Sequence, residues 1–275
     1  MTASDVTLEL AGERSALRPL VRDIWRSRLL IRMLAKQDFL VRYRRASFGI
    51  LWAVGLPVVQ GAIMAFVFTH VVRIQTGSNY PTFVLAGIMP WSFFSGTISS
   101  ASTSIVDGQN LGTKIYFPRA VFPFVSVGAN LYGFFPGLVV LVVFALGFGV
   151  HLGLNVLWLI PGTMVMVLLA VGFSLVFAAL HVYFRDIRYV LQAAIMAWFY
   201  ASPVLYPLER AHGTFRAVLL ANPATGMIEL FRKATVGVGP AWSEAVLFSL
   251  CWSLGLIVLA AILHRRYDRV FVDLL

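Results

Sequence analysis

Apolar runs dominate the pattern of this chain. Six of them stand out between short polar or basic breaks: Phe48–Val72, Thr82–Ile105, Ala120–Val150, Val156–Phe184, Tyr189–Leu205 and Trp242–Leu263. An α-helix needs about 20 apolar residues to cross a bilayer, and these runs carry almost no charge, so each predicts a membrane-spanning helix. The third exceeds one perpendicular crossing and contains Pro123, Gly133, Pro136 and Gly137. A tilted or broken span fits it, as does a short surface helix feeding a span. Between the fifth and sixth runs, residues 206–240 are irregular. Pro207, Gly213, Pro223, Gly226, Gly237, Gly239 and Pro240 bracket two short apolar pieces, Phe215–Leu220 and Met227–Phe231. Neither is long enough to cross, so the segment predicts two re-entrant or interfacial half-helices.

The first 47 residues read differently. Arg14, Arg18, Arg22 and Arg26 recur every four residues and form one stripe of a helix, while Leu17, Leu20, Val21 and Ile24 form the opposite stripe. That predicts a basic amphipathic helix lying at the membrane surface, where each arginine gains about 1 kcal/mol against anionic headgroups. The expected fold is therefore all-α and integral to the membrane. A basic amphipathic segment (1–47) precedes a six-span domain (48–263) with an irregular insert at 206–240, and a basic tail (264–275) follows.

Composition sharpens this. Of 275 residues, 59% are hydrophobic and only 12% are charged, with a formal charge of +10. Soluble domains carry about 25% charged residues, which excludes a cytosolic enzyme or a disordered chain. The basic excess lies around the membrane breaks, which favours lipid over nucleic acid. Six spans put both termini on one side. The N-terminal arginines, Lys114, Arg119, Arg185, Arg188, Arg265, Arg266 and Arg269 fall there, against Arg73, Arg210, Arg216, Arg232 and Lys233 on the other. The positive-inside rule makes the richer side cytoplasmic. The single Cys251 lies in an apolar run and reads as inert core. The hydroxyl-rich half of the second run, Ser92 to Ser104, reads as close helix packing in preference to a polar translocation wall.

No nucleotide, metal or nucleophile motif is present, so no catalytic residue, metal ligand or cofactor is expected in this chain. Glu244 is the one acidic residue read within or beside a span, which argues against coupling to ions or protons. A channel-like body without an energy source needs a partner that supplies ATP, with ATP and magnesium bound in that partner.

Five stretches carry a resemblance. They are Arg42-Tyr43-Arg44-Arg45 followed by Ser47, Gly49, Leu51-Trp52 and Pro57; Leu85 to Phe94 with Gly87, Pro90 and Trp91; Ile115-Tyr116-Phe117-Pro118-Arg119; Tyr183-Phe184-Arg185-Asp186; and Ser202-Pro203 with Tyr206, Asn222-Pro223 and Glu229 to Arg232. In this order they resemble the transmembrane subunits of ABC exporters of polysaccharides and polyol phosphates, which move O-antigen, capsule or teichoic acid. Phe48 departs from the family's aliphatic at that position.

The resemblance implies a homodimer in a bacterial inner membrane, two cytoplasmic ATPase subunits beneath it, a lipid-linked glycan as substrate, and an external gate built from the half-helices. It directs attention to Arg42, Arg44 and Arg45 for the lipid phosphate, because guanidinium groups bind phosphate bidentately. It directs attention to Trp91, Phe93, Phe94, Trp198, Tyr200 and Tyr206 as aromatics along a glycan path, and to Lys114, Tyr116, Phe117 and Arg119 for coupling to the ATPase. Arg185 and Asp186 are expected to stiffen their loop. Two rival readings are an efflux permease for a small hydrophobic compound and a membrane-embedded transferase. His151, His181 and His212 lack the acidic neighbours a transferase would need.

Overall fold

The computed structural model describes residues 22, 24–44, 46–70, 79–109, 118–237, 239 and 243–274, without side-chain detail at 68–70 and 265–274. The described residues build these helices: α1 (Arg28–Tyr43), α2 (Leu51–His70), α3 (Tyr80–Asp107), α4 (Val121–Gly147), α5 (Leu159–Tyr183), α6 (Ile187–Ala201), α7 (Gly213–Ala221), α8 (Pro223–Thr235) and α9 (Glu244–Leu274). Short 3₁₀ turns stand at Leu154–Trp158 and Leu208–Arg210. Four stretches are long and apolar enough to cross a membrane: Tyr80–Asp107, Val121–Gly147, Leu154–Tyr183 and Glu244–His264. Leu51–Val67 is a shorter apolar helix.

The hub is α3, which packs against α2, α4, α5, α6 and α8. Its N-terminal half is apolar nearly all round, as suits a helix enclosed by others. Its hydroxyl-rich half largely satisfies its own hydrogen bonds. Ser95, Ser100, Ser102 and Ser104 donate to the carbonyls of Ser92, Thr97, Ser99 and Ala101, each three residues back. Hydroxyls that satisfy themselves within their own turn allow this helix to sit in the middle of the bundle.

α4 runs unbroken from Val121 to Gly147 through Pro136, so of the readings open for the third apolar run a break within 121–147 is not observed. Pro136 lies on the exposed side of the helix. At 1.5 Å per residue the 27-residue helix is about 40 Å long, enough to project beyond the hydrocarbon core.

The N-terminal amphipathic pattern is described only from its later part. α1 turns Ala35 and Phe39 inward against α4 and leaves Arg32 and Lys36 exposed. Arg14 and Arg18 lie outside the described residues. The C-terminal tail, read as a separate segment, continues the backbone of α9. Cys251 is exposed on α9, not in the core, because an apolar span keeps one flank for lipid or for a second chain.

α7 and α8 occupy the irregular insert. α7 exposes Phe215 and Val218. α8 is the opposite: every residue from Pro223 to Thr235 except Lys233 is buried, against α3, α5, α9 and the 3₁₀ turn at Leu154–Trp158.

Candidate functional site

Two constructions hold the chemistry of the subunit. The first is a clamp around α8. Asn222 caps the helix, its side-chain oxygen accepting from the Ala224 N–H at 3.0 Å, and Pro223 supplies the pre-set first position. The same oxygen accepts from Trp198 Nε1 at 2.9 Å, and Asn222 Nδ2 donates to Ser202 Oγ at 2.9 Å. One amide thus knots the end of α6, the turn after it and the start of α8.

Three residues into α8 from its middle, Glu229 and Arg232 form a buried ion pair at 3.1 Å, with side chains 4% and 1% exposed. The Arg232 guanidinium also donates to the carbonyls of Val204 at 2.8 Å and Tyr206 at 3.4 Å. It lies 3.7 Å from the centre of the Phe83 ring. Tyr80 donates to the intervening Leu205 carbonyl at 2.9 Å, so three successive carbonyls of the 204–206 turn are held. Gly87 makes room for this turn: a Cβ there would stand 2.8 Å from the Val204 carbonyl oxygen. Read from sequence, Glu229 and Arg232 counted as loop charges on the outer side. The structure corrects this by burying both. The available signal was their three-residue spacing inside a short apolar helix, which lets the charges neutralise one another.

The second construction is a cleft of about 390 Å³ between α1, α2, α3 and α4. Arg42 stands at its α1 wall, donating to Asn130 Oδ1 and to Asp38, each at 3.1 Å. Asn130 in turn donates to Ser100 Oγ at 3.0 Å and the Ser126 carbonyl at 2.8 Å. Tyr43, Trp52, Gln60, Ser92 and Phe93 complete the polar and aromatic parts of the wall. On the other side of Tyr43 lies a wider groove of about 820 Å³, lined by Lys36, Arg44 and apolar residues including Leu40, Phe48 and Leu51. Arg42 and Arg44, two residues apart, therefore serve opposite sides of α1. Arg45 is outside the described residues.

Among the aromatics singled out from sequence, Phe93 reaches the cleft while only 5% exposed. Trp91 and Phe94 are enclosed in the subunit core and pack edge-on against Trp198 at 5.9 and 5.4 Å. Phe94 has no accessible surface. Tyr206 is half-buried beside Phe215 of α7, and Tyr200 is exposed on α6. Composition cannot separate the two groups, because a ring's environment depends on which helix covers it.

Lys114, Tyr116 and Phe117 lie outside the described residues. Arg119, just before α4, keeps a buried guanidinium nitrogen with no hydrogen-bond partner among the described residues. Arg185 and Asp186 are exposed at the α5–α6 turn and make neither an ion pair nor a side-chain hydrogen bond among the described residues. Their neighbour Arg188 stacks on Tyr189, its guanidinium carbon 4.5 Å from the ring centre. Among the described residues no cluster of His, Cys, Asp or Glu could hold a metal ion.

Comparison with known proteins places this geometry. The chain is 29% identical over 215 residues to the O-antigen export system permease protein RfbA of Myxococcus xanthus, covering 78% of this chain and 82% of that protein. It is 30% identical over 212 residues to the protein of the same name from Klebsiella pneumoniae, covering 75% and 82%. It is 24% identical over 216 residues to the polysialic acid transport protein KpsM of Escherichia coli, covering 76% and 82%. The sequence profile of the ABC-2 type transporter family matches residues 30–236, a stretch that contains both the clamp and the cleft, and the chain belongs to that family.

Proposed function

We propose that this chain is the transmembrane subunit of an ATP-driven exporter that moves a lipid-linked polysaccharide across the cytoplasmic membrane of a bacterium. The observation that carries the reading is the match along three quarters of the chain to permeases of O-antigen export. The helices long and apolar enough to cross a membrane support it.

The subunit works as a dimer of six-span chains with both termini in the cytoplasm. α2 and α6 serve as the first and fifth spans beside the four longer ones. Power comes from two partner ATPases that bind ATP and magnesium; this chain contributes no catalytic group. The cytoplasmic segment before α4, with Lys114, Tyr116, Phe117 and Arg119, receives the ATPase stroke. Arg185 and Asp186 hold the α5–α6 turn rigid so that it transmits motion. The stroke tilts the spans and parts α7 and α8, which serve as the outer gate. The lipid phosphate meets Arg42, Arg44 and Arg45 where the chain enters the bilayer, at a cost in desolvation that guanidinium tolerates better than ammonium. Tyr200 is exposed, Tyr206 and Trp198 are half-buried in the single subunit, and Phe93 reaches the cleft; Trp91 and Phe94 act from within, by stiffening the wall.

Deleting the chain's gene and probing intact cells for surface glycan tests the reading. Loss of surface glycan with accumulation of the lipid-linked polymer inside supports it. Normal surface glycan combined with sensitivity to a small hydrophobic toxin replaces it with drug efflux.

A further inference from the structure

We infer that the cleft between α1, α2, α3 and α4 is a recognition site for the sugar that adjoins the lipid phosphate, with the hydrocarbon of the same molecule lying in the groove across Tyr43. The inference rests on the lipid-linked glycan reading and adds to it a named site and a division of labour.

The lining of the cleft has the chemistry of a sugar site. Three polar groups face it without an intramolecular hydrogen bond among the described residues: the Gln60 amide, the Ser92 hydroxyl and the Trp52 indole N–H. Gln60 and Trp52 are exposed and Ser92 is half-buried, so their donors and acceptors are open to a ligand rich in hydroxyls. Trp52 is 40% exposed, and Tyr43 and Phe93 share the wall with it; aromatic rings with a polar edge suit the C–H faces and hydroxyl rims of a sugar ring. A volume of about 390 Å³ is at the lower end for small-ligand sites. It takes about one or two sugar rings and not a polymer. The site therefore reads the beginning of the chain, not its length.

Charge sets the orientation. Arg42 uses only part of its five donors on Asn130 and Asp38, and the pair with Asp38 is exposed enough to be weak. Asn130, fixed by Ser100 and Ser126, holds the guanidinium at the mouth of the cleft. On the far side of Tyr43, the groove has no acidic lining residue, two cations (Lys36 and Arg44) and an otherwise largely apolar wall. A phosphate seated among these cations, a tail in the groove and a sugar in the cleft match one amphiphile. A bulk phospholipid would leave Gln60, Ser92 and Trp52 unmatched.

The test uses the full chain purified in lipid nanodiscs and measures binding of farnesyl phosphate and of farnesyl phosphate carrying glucose, galactose, mannose or N-acetylglucosamine. At least one sugar-bearing probe is expected to bind tenfold or more tightly than farnesyl phosphate itself. Gln60→Ala, Ser92→Ala and Trp52→Phe, each checked for native elution and thermal unfolding, are expected to remove that advantage while leaving farnesyl phosphate binding unchanged. Arg42→Gln weakens every probe. If no sugar improves binding, or the gain survives all three substitutions, the sugar site is refuted while the phosphate reading stands. If no probe binds and Arg42→Gln changes nothing, the lipid-phosphate reading fails as well.

Discussion

Arg232 offers the sharpest perturbation of the fold. It is 1% exposed and is held by Glu229 at 3.1 Å, by the Val204 and Tyr206 carbonyls at 2.8 and 3.4 Å, and by the Phe83 ring. Arg232→Met keeps most of the volume and removes every one of those contacts. Breaking one partner out of a buried ion pair costs about 3–5 kcal/mol, because the remaining charge is left uncompensated. The two carbonyls of the 204–206 turn lose a charged donor, which alone is worth about 1.5–3 kcal/mol each, although the losses overlap. We therefore expect Arg232→Met to destabilise the subunit by about 4 kcal/mol. That is a large part of the roughly 5–15 kcal/mol that holds a domain together. Arg232→Lys is expected to rescue little, since one ammonium cannot serve a carboxylate and two carbonyls in a fixed fork. Glu229→Leu with Arg232→Met removes both charges and is expected to recover at least half of the loss. Equilibrium unfolding of the detergent-solubilised chain, followed by tryptophan fluorescence, measures these variants together with Glu229→Leu alone and the unchanged chain. The exposed Arg216→Met serves as the control for removing a cation. A cost for Arg232→Met within about 1 kcal/mol of that control, or a double variant as damaged as the sum of its parts, would refute the clamp.

Other outcomes follow from the same geometry. Asn222→Ala unties Trp198, Ser202 and the α8 cap together and should cost about 1–2 kcal/mol in the same unfolding assay; no measurable change would remove the knot from the account. Gly87→Ala places a methyl group 2.8 Å from the Val204 oxygen and should cost about 1–3 kcal/mol, whereas Gly255→Ala, with open space around it, should be neutral in the same measurement. Replacing Lys114, Tyr116 and Phe117 together by alanine should leave membrane insertion intact and abolish surface glycan; export at the native level would discard the coupling role of that segment.

Much of the helical plan was visible in the chain because long uncharged runs have few alternatives in a bilayer. The two short helices of the insert were legible for the complementary reason: their apolar cores are too short to cross and are fenced by Pro and Gly. Partnership was not legible. Glu229 and Arg232 look like solvent-exposed loop charges until the turn at 204–206 folds over them. Asn222-Pro223 stood out as a motif, yet nothing local says that the amide reaches back to Trp198. The arginine run before α2 was read as one cluster, while helical geometry sends Arg42 and Arg44 to different clefts. Pro136 left a tilted and a broken span equally open in the sequence, and it sits in a continuous helix on its exposed side.

The central claim is that this chain conducts glycan but generates no force. Reconstituting the purified chain in liposomes with its ATPase partner, and following a fluorescent lipid-linked oligosaccharide across the bilayer, addresses it directly. The account predicts translocation only when chain, ATPase and ATP are all present, with no ATP hydrolysis by the chain alone. Translocation by the chain alone, driven by a proton or sodium gradient, would contradict it.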